Sequence, residues 1–589
     1  MPVKDEYGIV ILDEEEHINY NNYWSEMDRL REQQWHLRKH ATGNKLPLTP
    51  LSVQETVAHI ISKQISVEEV IEHYLNRIKI LNPYLNAIVS LKDEDKIKDE
   101  IKHLKQNNQE TDKLLFGLPM AIKDLTDVAG LPTTFGLRKY KNNLPIKNSI
   151  MVDRLINHGA IIIGKTNTPE LGLGSHTTNK LFGPTSNTLD LTKTAGGSSG
   201  GAATAVAAYL VPFADGSDMM GSCRNPAAYS NIYGFRPTPG LIPEYRIMKI
   251  DKQFPLLSTP GCLARTSGDM ALFLDAVCGE HTSDPFSFGV SDLLKYTESR
   301  KLDNLNINPS FRSFIDNRIY HPRFTVPEWS SYRKWNIGWL ADMNGAYKFE
   351  EGIIDLCEKD LKYLSNISYG IIRVSNLKPD INASVLWDSW TTLRSKYIFD
   401  YLNEMKLEID KDLGLPVRWE YEKGRDVKPA DIDKALAQRE ECKKIVRKLF
   451  KKYDFLAIPS VQVFPFDKSL EYPDQIAGFS LDTYHRWMEV ACLSSLLGLP
   501  TLSIPVGNHP SNNIWNKGGP MGEFGIGLQI IGRRGDDLKM IQFLREWEEQ
   551  DFDGGVSDEN SFLMGGQCLF FNESEALEFE KKHSHVENF

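Results

Sequence analysis

Apolar and polar positions alternate in blocks along most of the chain, and the blocks change period. "SVEE" at Ser66 to Glu69 is a capping box, in which the serine hydroxyl and the glutamate carboxylate each satisfy a free backbone N–H of a starting helix. The helix it opens sets Val70, Ile71, Tyr74 and Ile78 on one face. "LNAIVSL" then reads as a buried strand, and "FGLPMAIKDL", entered through Gly117 and Pro119, as a second. "HGAIIIGKTNTPEL" predicts a strand at Ile161 to Ile163. "AATAVAAYL" is a helix of small residues able to lie tightly against a sheet. Strand and helix signals alternate through about residue 280, which predicts an α/β sheet layered with helices.

Residues 1–45 are polar and aromatic and read as an N-terminal helical arm. From 281 to about 335 Asn, Ser, Asp and Pro weaken the pattern, as expected of an insertion, and the variable region extends to about 440. "KWNIGWLADM" restores a strand, and amphipathic helices follow at 352–366, 381–404 and 430–453. "YDFLAIPSV", "GLPTLSIPV" and "GIGLQIIG" are three further strands, and "DDLKMIQFLREWEEQ" is a helix whose aspartates sit at its positive end. The expected organisation is therefore an arm at 1–45, one domain at 46–550 and a peripheral tail at 551–589.

Composition changes this picture little. Hydrophobic residues make up 41% and charged ones 25%, the balance of a soluble globular protein. A net charge of -11 leaves no electrostatic footprint for nucleic acid, and the basic run "EECKKIVRKLFKKY" reads as the solvated face of a helix. No basic segment followed by an apolar one marks a leader at the N-terminus, and no apolar run nears the roughly 18 residues of a membrane span. Seven scattered cysteines without a CxxC pair argue against a disulfide framework or zinc site and fit a reducing cytoplasm. No metal or cofactor is expected.

Two motifs invite chemistry that their context does not support. "GAIIIGKT" at Gly159 to Thr166 fits the phosphate-loop pattern, but its centre is Ala and three Ile, a buried strand rather than a flexible cradle. GxSxG occurs at Gly196–Gly200 and Gly197–Gly201, but the preceding "TLDLTKTA" is too polar for the strand that leads into a hydrolase elbow.

Three segments considered together are more informative: "GLPMAIKDLTDVAGLPTTFG", "TAGGSSGGAATAVAA" and "DGSDMMGSCRNPAA...YGFRPTPG", with "GLPTLSIPVG" and "GIGLQIIGRRGDD" nearer the C-terminus. Together they resemble the amidase signature family over roughly residues 50–548. The resemblance implies a large twisted mixed β-sheet covered by helices on both faces. It implies a Ser–Ser–Lys triad with Ser222 as nucleophile, Ser198 as bridging hydroxyl and Lys123 as base. The peptide bond Gly197–Ser198 would be cis, and Ser199 would support the network. Backbone N–H groups of Met219, Met220, Gly221 and Ser222 would form the oxyanion hole. Asp218 and Arg224 would pair to brace that loop, the alternative being two separately solvated charges.

The chemistry stands on its own terms. A serine hydroxyl becomes a useful nucleophile when a neighbouring base takes its proton. Lysine does this only when neutral, and its ordinary pKa of about 10.4 must be lowered, which burial does. The implied activity is hydrolysis of linear carboxamides, with esters and carbamates open to the same machinery. The partner is a small-molecule amide, and a homodimer is compatible with the sequence. Two other readings are a glutaminase-type subunit of a tRNA-dependent amidotransferase and a non-catalytic binding protein on the same scaffold.

The sequence departs from the family pattern at Met220, where most members carry glycine. Its thioether either narrows the acyl pocket or packs into the core. Cys223 adjoins the nucleophile without a histidine in these blocks to activate it, and reads as a bystander. "TSNTLDL" replaces the usual turn before the serine loop.

Overall fold

The structure is a computed structural model that describes residues 3–4, 10–11, 51–106, 113–252, 254, 256–296, 310–311, 335–367, 372–409, 413–506 and 525–552. The chain divides into a unit Met1–Leu51 and a unit Ser52–Phe589. In the first, Val3–Lys4 pairs antiparallel with Val10–Ile11, an extended pairing where the sequence predicts helix. The rest of the expected arm, most of the 297–334 stretch and the tail beyond Phe552 lie outside the described residues.

The second unit opens with α1 (Val53–Ile61) and α2 (Val67–Leu85). The capping box of α2 forms as read: Glu69 N–H donates to Ser66 Oγ at 3.1 Å, and Ser66 N–H donates to Glu69 Oε2 at 2.8 Å. Val70, Ile71, Tyr74 and Ile78 are all buried. Next come β1 (Ile88–Leu91), β2 (Pro119–Lys123) and β3 (Ile161–Thr166). They form a three-stranded sheet in the order β1-β3-β2, with β2 parallel to β3. β3 runs three residues past its apolar core because Lys165 and Thr166 pair with Ile122 and Lys123 of β2. Lys165 Nζ is turned inward, donating to Thr126 O and Thr133 Oγ1 at 2.8 Å each, so Ile161–Ile163 is a strand as expected and Gly164–Thr166 continues it where a turn is expected.

The helix α5 (Gly200–Ala207) is entirely buried. Its small residues permit this: a Cβ at Gly201 would stand 2.4 Å from the backbone nitrogen of Asn167. Arg77 of α2 reaches across to donate to Ala208 O and Tyr209 O, satisfying carbonyls at the end of α5. Beyond it lie β4 (Ala214–Asp218), α6 (Arg224–Tyr229), β5 (Tyr233–Arg236), β6 (Thr259–Ala264) and β7 (Trp335–Trp339). They are followed by β8 (Ile372–Asn376), α9 (Ala383–Glu404), α10 (Leu415–Arg425) and α11 (Pro429–Leu449). The last strands are β9 (Phe455–Pro459), β10 (Thr501–Val506) and β11 (Ile526–Ile531), with α12 (Cys492–Leu497) between β9 and β10. In this numbering α3, α4, α7, α8 and α13 are Glu94–Gln106, Ile150–Asn157, Ser267–Val277, Ile353–Ile367 and Asp537–Phe552.

The eight-stranded sheet has the order β8-β7-β9-β11-β10-β5-β6-β4. It is mixed: β8, β7 and β9 run parallel, and the remaining pairings are antiparallel. Strands β5, β6, β9 and β11 are buried at every position, the pattern of a sheet covered on both faces. Edge strand β4 lies beside β2 of the small sheet, and Lys123 N–H donates to Asp215 Oδ1 at 2.9 Å between them. The meeting of these two strands positions the site.

Candidate active site

Lys123 ends β2, whose five residues are all buried, and it has no exposed surface itself. Its Nζ lies 2.8 Å from Ser198 Oγ, 2.7 Å from Ser199 Oγ and 3.0 Å from Ser217 Oγ. Burial lowers its pKa to about 8, against the pull of the nearby Asp215 and Asp218 charges. Asp215 and Ser217 are two residues apart on β4 and so share one face. Asp215 meets the lysine backbone and Ser217 meets its amine. Burial pushes the Asp215 carboxyl up to about 6, and its Oδ2 has no hydrogen-bond partner among the described residues.

Ser198 is held by the loop that precedes α5. The Gly197–Ser198 peptide bond is cis. Asn225 clamps Gly197 from both sides, accepting its N–H at 2.9 Å and donating to its carbonyl at 2.7 Å. Gly196 adopts φ +72°, and a Cβ there would lie 2.5 Å from Asn225 Oδ1, so glycine fits both the torsion and the space. Thr177 Oγ1 accepts the N–H of Gly200 at 2.9 Å, and Thr194 Oγ1 meets His176 Nδ1 at 2.6 Å.

Ser222 follows β4 in a loop organised by buried charge. Asp218 and Arg224 form the expected pair, fully enclosed and bidentate, with nitrogen–oxygen distances of 2.9 and 2.8 Å. Arg236 approaches the same carboxylate at 3.5 Å and donates to the Asp218 carbonyl. Arg224 also donates to Ser494 Oγ, Ser495 Oγ and Gln529 Oε1. Burial would raise the Asp218 carboxyl, but the two guanidiniums outweigh it and hold it well below the usual carboxylate range.

The same carboxylate accepts the Gly221 N–H at 2.9 Å and the Cys223 N–H at 3.1 Å. Gly221, expected among the oxyanion donors, here has its N–H directed at Asp218. The N–H groups of Met219, Met220 and Ser222 donate to no described residue. The Cys223 thiol is buried, and burial pushes its pKa up, so it carries no thiolate. Met220 takes the core alternative: its side chain is 1% exposed, and Trp390 Nε1 donates to its sulfur at 3.2 Å.

The lysine and the first two serines are thus in contact, while the Ser198 and Ser222 hydroxyls make no hydrogen bond with each other. The two segments are joined by the Asn225 clamp on Gly197 and by Ser199 N–H donating to Ser222 O at 3.3 Å. Half-buried Ser222 has a hydroxyl with no partner among the described residues. Sequence reasoning missed Asp215, Ser217, Asn225, Arg236 and Trp390. The strand alternation of "ADGSD" was the available signal for the first two.

The Amidase family model matches residues 69–541. An acylamidase of Rhodococcus erythropolis is 33% identical over 374 residues, covering 59% of this chain and 77% of that one. A glutamyl-tRNA(Gln) amidotransferase subunit of Caldanaerobacter subterraneus subsp. tengcongensis is 28% identical over 532 residues, covering 86% and 97%. The solved structure of a bacterial aryl acylamidase of the amidase signature family matches with a TM-score of 0.72 at 25% identity, covering 88% and 99%. No described helix is long and apolar enough to cross a membrane. The match over most of the chain and the acylamidase relatives support an amide-hydrolysing enzyme, and they make this chain a member of the Amidase family, the amidase signature enzymes.

Proposed function

We propose that the chain hydrolyses linear carboxamides through an acyl-enzyme on Ser222, with Ser198 as proton bridge and Lys123 as base. The observation that carries this reading is the buried Lys123 amine among three hydroxyls, with its pKa lowered to about 8. A protonated amine would donate to all three. A neutral one donates to two and accepts from the third, so the same contacts serve both charge states.

In the reaction, Ser222 Oγ turns toward Ser198 and attacks the carbonyl carbon. Its proton passes to Ser198 Oγ as the Ser198 proton passes to the neutral Lys123. The tetrahedral oxyanion is met by N–H groups of Met219, Met220 and Ser222, donors of a kind that contribute roughly 3–4 kcal/mol each to lowering the barrier. The proton returns through Ser198 to the leaving nitrogen, the C–N bond breaks, and water hydrolyses the ester by the same relay. The acylamidase relatives support acyl arylamides as first substrates.

The test pairs turnover of acyl p-nitroanilides with fluorophosphonate labelling. Ser222→Ala is expected to lose turnover by roughly 10⁴-fold or more and to lose the label, with Lys123→Ala nearly as damaging. Full turnover in Ser222→Ala refutes the assignment. Glutaminase activity in a tRNA-dependent complex is the second reading, favoured by relatives that align over 86% of this chain. Release of glutamate from glutamine in preference to arylamide cleavage would select it.

A further inference from the structure

We infer that Trp390 is a positioning residue for the oxyanion loop, acting through the sulfur of Met220. The inference rests on the assignment of Ser222 and its loop. Trp390 lies on α9 and is fully buried, as Met220 is. An indole N–H removed from water needs an acceptor, and the thioether supplies one at 3.2 Å. This contact ties the loop to an element 170 residues away in sequence.

The helix that carries Trp390 is anchored on either side of it. One residue before, Ser389 Oγ donates to Gln438 Oε1 of α11 at 2.8 Å. Four residues after, Arg394 donates to Glu420 Oε1 of α10 at 2.5 Å and to Tyr484 Oη at 2.8 Å. The indole is therefore presented from a fixed frame rather than from a mobile surface helix. On the receiving side, the rigid peptide planes on either side of the Met220 Cα carry the Met220 and Gly221 N–H groups. Asp218 fixes the Gly221 group, and the Met220 group donates to no described residue, which leaves it available to substrate. Holding the Met220 side chain in the core limits rotation of the plane that carries the free donor. The donor's aim toward the oxyanion then depends on α9, outside the segments that hold the three reacting side chains.

The test compares Trp390→Phe, which removes the N–H and keeps an aromatic ring, with Met220→Leu, which keeps the volume and removes the sulfur. Both are expected to lower kcat about threefold to tenfold with KM within about twofold, because the donor acts on the transition state. The double variant is expected to be no slower than the slower single one, since both break one contact. Fluorophosphonate labelling of Ser222 should slow in parallel, as the phosphonyl oxygen uses the same donors. Unchanged kcat in both folded variants overturns the inference, as does a raised KM with kcat retained, which would mark a pocket wall, or losses that multiply. If Trp390→Phe fails to fold, Met220→Leu alone decides by the same kcat and KM criteria. Retained turnover and labelling in Ser222→Ala would instead defeat the nucleophile assignment, an outcome separable from any behaviour of Trp390.

Discussion

The two loops that bring serines to the site are held by opposite means. The loop carrying Ser198 is clamped by neutral groups: the Asn225 amide on both sides of Gly197, Thr177 on Gly200, and His176 against Thr194. Burial lowers the pKa of His176 to about 4, so it too is uncharged at neutral pH. The loop carrying Ser222 is built on Asp218, Arg224 and Arg236. The difference follows from what each loop serves. The Ser198 loop adds nothing to the negative charge that Asp215 and Asp218 already place near the base, and each further charge would favour the ammonium. A loop that meets a developing oxyanion gains from positive charge behind it. Two guanidiniums against one carboxylate leave a net positive charge there, while the carboxylate orders the backbone.

The comparison breaks most visibly at Arg224. Arg224→Met leaves the buried Asp218 carboxylate with Arg236 alone and is expected to cost about 3–5 kcal/mol in thermal or urea unfolding. The sign of the pH effect follows from the depressed Asp218 pKa. Its stabilisation is present above the ordinary carboxylate value of about 3.9 and is lost as pH falls through the folded value. Without Arg224 the folded value rises, so acid unfolding should begin at higher pH. An unmoved acid limb would show that Arg236 suffices.

On the neutral loop, Asn225→Ala removes two hydrogen bonds to Gly197 and is expected to cost about 1–3 kcal/mol, with a fall in kcat. Asparagine does not titrate, so the stability loss should be equal at pH 5 and pH 8. A loss that varies between them would erase the distinction drawn between the loops.

The sequence made the reacting residues visible because they sit in dense local blocks, and made α2 visible because its cap and apolar face are local. The Gly221 bond to Asp218 went unread, although an aspartate three residues before a turn N–H is a common local acceptor. Asp215 and Ser217 stand inside a motif block without an evident role, because nothing along the chain shows that β4 lies beside β2. The fate of Met220 could not be read, since pocket and core both suit a thioether. An indole far along the chain decides it. The extra length of β3 was hidden for a similar reason, as Gly-Lys-Thr reads as a turn until its partner strand is known.

The smallest expected effect is the sharpest test of charge at the base. Lys123 acts when neutral, so kcat/KM should rise with pH through about 8 and level off above. Stability follows the same direction. Between the folded value and the unfolded value of about 10.4 the unfolded chain binds the extra proton, so stability gains with pH across that window. Asp215 bears on Lys123 through its charge, as does Asp218, and Lys165 acts in turn on Asp215. With its own pKa at about 6, Asp215 is ionised where the lysine titrates. Asp215→Asn can still accept the Lys123 N–H but removes a charge that favours the ammonium. The activity limb should therefore move to lower pH, by roughly one unit, equivalent to about 1.4 kcal/mol. Asn225→Ala, which removes no charge, should leave that limb in place. A limb that moves to higher pH in Asp215→Asn, or that moves in Asn225→Ala, would mean that the geometry of the loops and not their charge sets the base.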